Sequence, residues 1–233
     1  MAQMDRSEQN RATSSPDTGK KTTVLFDVDG TLCDTNYLHT VCWHQALVET
    51  ENETVPMHEI HALMGVGSDQ LTKKLIGRNS DPATKAHSRL YEKHWDDVSC
   101  FDGIRPLFEA IDKRGVEIVL ASSADGDELA MLKKKIGCDD LIVDSTSSKD
   151  VQTTKPEPDI FTKALEQAAT TPNRAVVIGD SRWDMIAAGK AGIDAYGVLT
   201  GGIAAELLIE AGAKEVFSNL KDLAKRLDEI LNK

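Results

Sequence analysis

Short runs rich in β-branched and aliphatic residues recur along the chain, and each stops at small or acidic residues. The main runs span 22–30, 116–123, 174–181 and 194–200, with shorter ones at 141–145 and 214–218. Nearly continuous apolar runs of this length predict strands covered on both faces, as in a parallel sheet. Helical periodicity fills the gaps. Ile104, Leu107, Phe108 and Ile111 mark an apolar stripe over 104–114, and Leu220, Leu223, Leu227, Ile230 and Leu231 mark another over 219–232. Gly115 and Gly137 stand where helices stop. Pro156 and Pro158 stand at the start of a helix predicted to run to about Ala169. Strand alternating with helix predicts a doubly wound α/β sheet, a Rossmann-like core.

One stretch interrupts that alternation. Residues 36–100 carry helical patterns, at 36–51, 56–63, 68–76 and 83–98, with no convincing strand. They read as a small helical domain inserted after the first strand. Residues 21–35 and 101–233 then form the core domain. Residues 1–20 are polar, with almost no apolar content, and read as a flexible tail.

Charge narrows the choice of partner. The 233 residues carry 38 acidic against 27 basic side chains, a net charge of -11. Without a local basic patch, such a chain repels nucleic acid and anionic membranes. No apolar run approaches the ~20 residues of a membrane helix, and the start has no secretory apolar region. A cytoplasmic monomer is the expectation. Cys33, Cys42, Cys100 and Cys138 form no C-x-x-C pair and read as reduced, mostly buried side chains.

In a parallel sheet, ligands bind beyond the carboxyl ends of the strands. The first strand run ends in Asp27-Val28-Asp29-Gly30-Thr31, the second in Ser122-Ser123, and the one at 174–181 in Gly179-Asp180-Ser181, with Asp184 four residues past Asp180. Lys155 stands just before a helix start. Carboxylates brought together repel one another unless a cation sits among them. Hard oxygen donors suit Mg²⁺, which keeps positions open for a phosphate. A carboxylate left over can attack phosphorus, and another can move the proton.

These residues resemble the haloacid dehalogenase superfamily of phosphotransferases, in particular its phosphoglycolate phosphatase and β-phosphoglucomutase branch. The resemblance covers about residues 22–231. Asp-Val-Asp-Gly-Thr, Leu-Ala-Ser-Ser, Lys-Pro-Glu-Pro-Asp-Ile-Phe and Gly-Asp-Ser-Arg-Trp-Asp match the family's four motifs in order. It implies that Asp27 is the nucleophile that becomes an aspartyl-phosphate and that Asp29 is the general acid and base. It also implies that the Asp29 carbonyl, Asp27 and Asp180 ligate Mg²⁺, with Asp184 supporting the metal. Ser122 and the Ser123 N–H would hold phosphate oxygens, Lys155 would neutralise the transferring group, and Gly30 and Thr31 would shape the turn and add phosphate contacts. Asp29 also separates this chain from the metal-free dehalogenases, which lack it. The implied substrate is a small phosphorylated metabolite, a sugar phosphate or a phosphoglycolate-like monoester. A phosphosugar mutase is the alternative activity, and a non-enzymatic phosphate-ligand binding protein is a lesser one.

Gly65-Val66-Gly67-Ser68 follows no strand, so it is not a phosphate loop. It resembles the family's substrate-specificity loop, which implies a substrate-binding role for Gly65 and Gly67. His58 and His61 sit at i and i+3 with no clear third ligand, which suits packing better than zinc. Lys73 and Lys74 do not follow the pattern of a Schiff-base lysine. Trp183 is expected near the site entrance, and residues 199–202 are expected to form a strand-to-helix turn.

Overall fold

The computed structural model describes residues 21–232, so the tail expected over 1–20 lies outside the described residues. Six strands form one sheet: β1 (Thr23–Phe26), β2 (Glu117–Ala121), β3 (Asp144–Thr146), β4 (Ala175–Gly179), β5 (Asp194–Val198) and β6 (Val216–Phe217). Their order is β3-β2-β1-β4-β5-β6, and every pairing is parallel. β1 is central, with Leu25 in register with Val119 on one side and Val177 on the other. The chain therefore winds away from β1 in both directions and leaves a crevice at the carboxyl ends of β1, β2 and β4.

Helices α1 (Asn36–Glu51), α2 (Met57–His61), α3 (Ser68–Ile76), α4 (Asp81–Glu92) and α5 (Ile104–Asp112) lie between β1 and β2. They are followed by α6 (Gly126–Ile136), α7 (Asp159–Gln167), α8 (Arg182–Lys190), α9 (Ala205–Glu210), α10 (Leu220–Lys225) and α11 (Leu227–Leu231). Side chains alternate along each strand. Phe26, Leu120 and Ile178 pack with Phe108 of α5 and Leu132 of α6, whereas Leu25, Val119 and Val177 pack with Phe161 of α7 and Met185 of α8. Both faces are covered, which is why the strands read as unbroken apolar runs. Each such side chain contributes about 2 kcal/mol by leaving water.

A third cluster, built on Trp43, Leu47, Ile60, Met64 and Leu71, holds α1–α3 together. The chain leaves β1 for these helices and returns from them along adjacent paths. Asp34 N–H donates to the Ser99 carbonyl (2.9 Å) and Phe101 N–H to the Leu32 carbonyl (2.8 Å). Cys33 and Cys100 face each other across this antiparallel bridge, Sγ to Sγ 2.8 Å, both as free thiols. Among the described residues no helix is long and apolar enough to cross a membrane.

Four expectations shift. The helix expected over 83–98 spans Asp81–Glu92 and is followed by a separate single helical turn at Trp95–Asp97. The run at 141–145 becomes a strand only at Asp144–Thr146, because Leu141 and Ile142 pack on the core from a turn and Val143 is exposed. The helix expected from Pro156 starts at Asp159, with Pro158 as its N-cap. The stripe over 219–232 is broken at Arg226, whose N–H reaches back three residues to Leu223 and whose guanidinium bonds Glu215 and Glu229.

Candidate active site

Asp27 is the first residue past β1, and its N–H still donates to Ile178 of β4 (2.9 Å). Residues two apart on extended backbone tend to share a face, but here the chain turns at once. Leu32 and Cys33 N–H both return to the Val28 carbonyl, and Gly30 takes φ 74°. The turn sends Asp27 and Asp29 into separate groups of side chains.

Asp27 joins Asp180, Asp184 and Lys155. The Lys155 ammonium is fully buried, donates to Asp27 Oδ1, and lies 2.7 Å from Asp184 Oδ1 and 3.3 Å from the Ala121 carbonyl. Asp184 also caps α8: its Oδ2 accepts from Ser181 N–H (3.0 Å) and Ser181 Oγ (2.6 Å). Thr31 Oγ1 lies 2.9 Å from Asp180 Oδ1 and 3.2 Å from Asp27 Oδ2, so one hydroxyl proton serves both acids. Asn36 Nδ2 donates to Asp180 Oδ2 (2.9 Å) and to the Gly201 carbonyl (3.2 Å). A Cβ on Gly201 would fall 1.7 Å from Asp180 Oδ2, so this approach requires glycine.

Three buried carboxylates crowd around one ammonium here, and the proton affinities of Asp27 and Asp180 show the strain. Burial, then Asp184, raises the Asp27 carboxyl well above its ordinary range despite Lys155. Burial and Asp184 push Asp180 up to about 7 against the bonds from Thr31 and Asn36. One carboxylate oxygen from each of Asp27, Asp180 and Asp184 lies within 4.8 Å of the others. This all-oxygen donor set with excess negative charge fits a hard divalent cation.

Asp29 turns the other way, toward α1 and α6. Its Oδ1 accepts from Thr35 Oγ1 (2.8 Å) and lies 3.5 Å from His39 Nε2, while its Oδ2 accepts from Ser122 Oγ (3.2 Å). Burial alone would raise this carboxyl, but the bond and charge of His39, with Thr35 and Ser122, hold it below its ordinary value. His39 Nε2 also lies 3.2 Å from Glu128 Oε1, and its Nδ1 is 3.1 Å from His87 Nε2. Burial opposes charge on the ring, yet the two carboxylates outweigh it and push His39 up to about 10. Burial and the neighbouring His39 charge hold His87 well below the ordinary value.

The loop at residues 65–68 closes over this ground. Gly65 takes φ 91°, and a Cβ there would fall 2.6 Å from Ser181 Oγ. Ser123 Oγ lies 3.5 Å from the Gly65 carbonyl, and Gly67 abuts Thr154, the residue before Lys155. Trp183 packs near Gly65, with Lys74 Nζ 5.2 Å from its ring centroid. His61 stacks on Tyr37 and its Nε2 lies 3.0 Å from the Gly201 carbonyl, a packing role, while His58 is exposed. Residues 199–201 form a helical turn leading toward α9, as expected.

Thus Asp27, Asp180, Asp184, Lys155 and Thr31 meet in one group, and Asp29 and Ser122 meet in an adjoining one. Asn36, Thr35, His39, Glu128 and Gly201 were not anticipated from the sequence. Thr35 and His39 are four apart, one helical turn, and so share a face with Asn36 close by. Polar residues on the buried side of a helix were the available signal.

The sequence pattern of the family described as haloacid dehalogenase-like hydrolase matches residues 24–198. A pyrophosphatase PpaX of Bacillus velezensis is 25% identical over 189 residues, covering 76% of this chain and 82% of the relative. A phosphoglycolate phosphatase of Colwellia psychrerythraea is 24% identical over 222 residues, covering 88% and 96%. The crystal structure of a hydrolase from Pseudomonas syringae superposes with a TM-score of 0.85 at 31% identity, covering 90% of this chain and 99% of that one.

Proposed function

The chain belongs to the haloacid dehalogenase-like hydrolases, and on that premise we propose that it is a Mg²⁺-dependent phosphatase of small phosphate monoesters, working through phosphorylation of Asp27. The observation that carries this reading is the buried Lys155 ammonium between Asp27 and Asp184, with Asp180 tied to Asp27 through Thr31. Mg²⁺ held by Asp27, Asp180 and the Asp29 carbonyl would offset the charge of the phosphoryl group. Both Asp184 oxygens are engaged by Lys155 and the α8 cap, which favours an indirect supporting role for that residue.

A carboxylate oxygen of Asp27 attacks phosphorus, and the bond from phosphorus to the alcohol oxygen breaks. Asp29 supplies the proton that the departing alkoxide takes up. It then removes a proton from the water that attacks the aspartyl-phosphate, which releases phosphate and restores Asp27. Because His39 holds Asp29 low, Asp29 rests ionised; the proton it gives to the alkoxide comes from the His39 imidazolium beside it, and the proton it takes from water returns to His39. Lys155 and the Ser123 N–H would bind the phosphoryl oxygens. The loop at 65–68, pressed on Ser181 and Thr154, excludes bulk water from this exchange.

Turnover of p-nitrophenyl phosphate with Mg²⁺, repeated with Asp27→Asn, tests the reading. Phosphate release that survives this substitution would reject Asp27 as nucleophile. A mutase would instead isomerise sugar phosphates with little release of inorganic phosphate. A binding protein on this fold predicts a missing nucleophile, lysine or acid, and all are present.

A further inference from the structure

A cavity of about 80 Å³ opens directly on Asp29. Trp43, Leu71 and His87 form its apolar and aromatic side, and His39 and Glu128 its charged side. Among the described residues no lysine or arginine lines it. The cavity next to it, toward solvent, carries Glu92, Asp125 and Asp127 against a single guanidinium, that of Arg89. Arg89 is already held 2.6 Å from Glu49. Lys149 stands 4.0 Å from Asp125, and Lys74 and Arg182, which line neither cavity, lie against Trp183.

His39 is the cation beside Asp29, and both of its ring nitrogens are taken. Nε2 lies between Asp29 (3.5 Å) and Glu128 (3.2 Å), and Nδ1 meets His87. One imidazolium is thus shared by two carboxylates of the protein itself. An anionic group on the alcohol side of a substrate would face Asp29 and Glu128 with no unshared cation to receive it. In a confined cavity of low effective dielectric this repulsion is stronger than in water. Glu128 is fixed in place by its backbone, since its N–H donates to the N-cap Asp125 at 3.0 Å and the next residue, Leu129, is buried in the core.

Building on the phosphatase reading, we propose that Glu128 selects the charge of the leaving group. The cavity accepts monoesters of neutral or amino-bearing alcohols, whose hydroxyl or ammonium hydrogens Glu128 can accept. It rejects esters whose alcohol carries a second anionic group.

Three esters of similar size separate charge from shape: 2-hydroxyethyl phosphate, O-phosphoethanolamine and 2-phosphoglycolate. With Mg²⁺ and the full chain, kcat/KM for 2-phosphoglycolate is expected to fall at least about tenfold below the other two. Glu128→Gln narrows that gap to within about threefold. Asp127→Asn, on the exposed rim, moves it less in the same direction and serves as the second variant if Glu128→Gln fails to fold. A purely structural role for Glu128 would lower all three esters together and leave their ratios unchanged. Wild-type turnover led by 2-phosphoglycolate overturns the inference, as does a gap that neither variant alters. Absence of phosphate release from all three esters and from p-nitrophenyl phosphate overturns the phosphatase reading, and this inference with it.

Discussion

Nζ of Lys155 lies 2.7 Å from Oδ1 of Asp184, while Oδ2 of the same carboxylate caps the start of α8. One side chain thus joins the buried lysine to the helix that follows β4. Lys155→Met would leave Asp27 and Asp184 buried without their counter-charge. Urea unfolding should show a loss of about 3–5 kcal/mol, together with loss of phosphate release. Adding Asp27→Asn to that variant should restore part of the stability and none of the activity. A variant as stable as the parent would contradict the ion-pair geometry.

Asp180 gives a pH signature. Its carboxyl is raised from 3.8 to about 7 by burial and Asp184. A raised acid means that the folded chain holds its proton more tightly than the unfolded chain. Metal-free protein should therefore lose stability as pH rises from about 4 to 7, on the order of 2–4 kcal/mol. Mg²⁺ should raise the melting temperature at pH 8 and much less at pH 5, where protons compete for the same oxygens. Asp180→Asn should flatten the slope and remove the Mg²⁺ effect, both measurable by thermal melts.

His39 has the same sign in a higher pH window. Its ring is raised from 6.5 to about 10 by Asp29 and Glu128 against the opposing effect of burial. The stabilisation is complete below about pH 6.5 and is lost as the pH climbs to about 10. The stability gap between the parent and His39→Asn should shrink over that range, by on the order of 2 kcal/mol. A gap that is constant from pH 6 to pH 10 would rule out the charged pairing.

Asn36 touches Asp180 and Gly201 without joining the carboxylate group itself. Asn36→Ala frees Asp180 to rotate and should weaken Mg²⁺ about 10–100-fold. Titration of Mg²⁺ against phosphate release checks this, with saturating metal recovering most of the rate.

The strand-end residues could be read directly from the sequence. Asp27, Ser122 and Asp180 follow apolar runs whose length and composition fix where each strand stops, and parallel pairing carries those ends to one edge. The contacts of His39 could not be read in this way. It sits on α1, its partners Glu128 and His87 come from α6 and α4, and no local periodicity specifies which helix faces meet. The stack of His39, Trp43, His87 and Tyr91 left a faint trace, two aromatic pairs each four residues apart. The break at Arg226 was hidden for a similar reason, since it depends on Glu215 eleven residues away.

The bridge at Cys33 and Cys100 bears on how the cleft could widen. Outbound and inbound segments are laced side by side by the bonds of Asp34 and Phe101. Those bonds tie the two segments to each other, so an opening that keeps them is expected to be a swivel about that seam, with a gape that grows with distance from it.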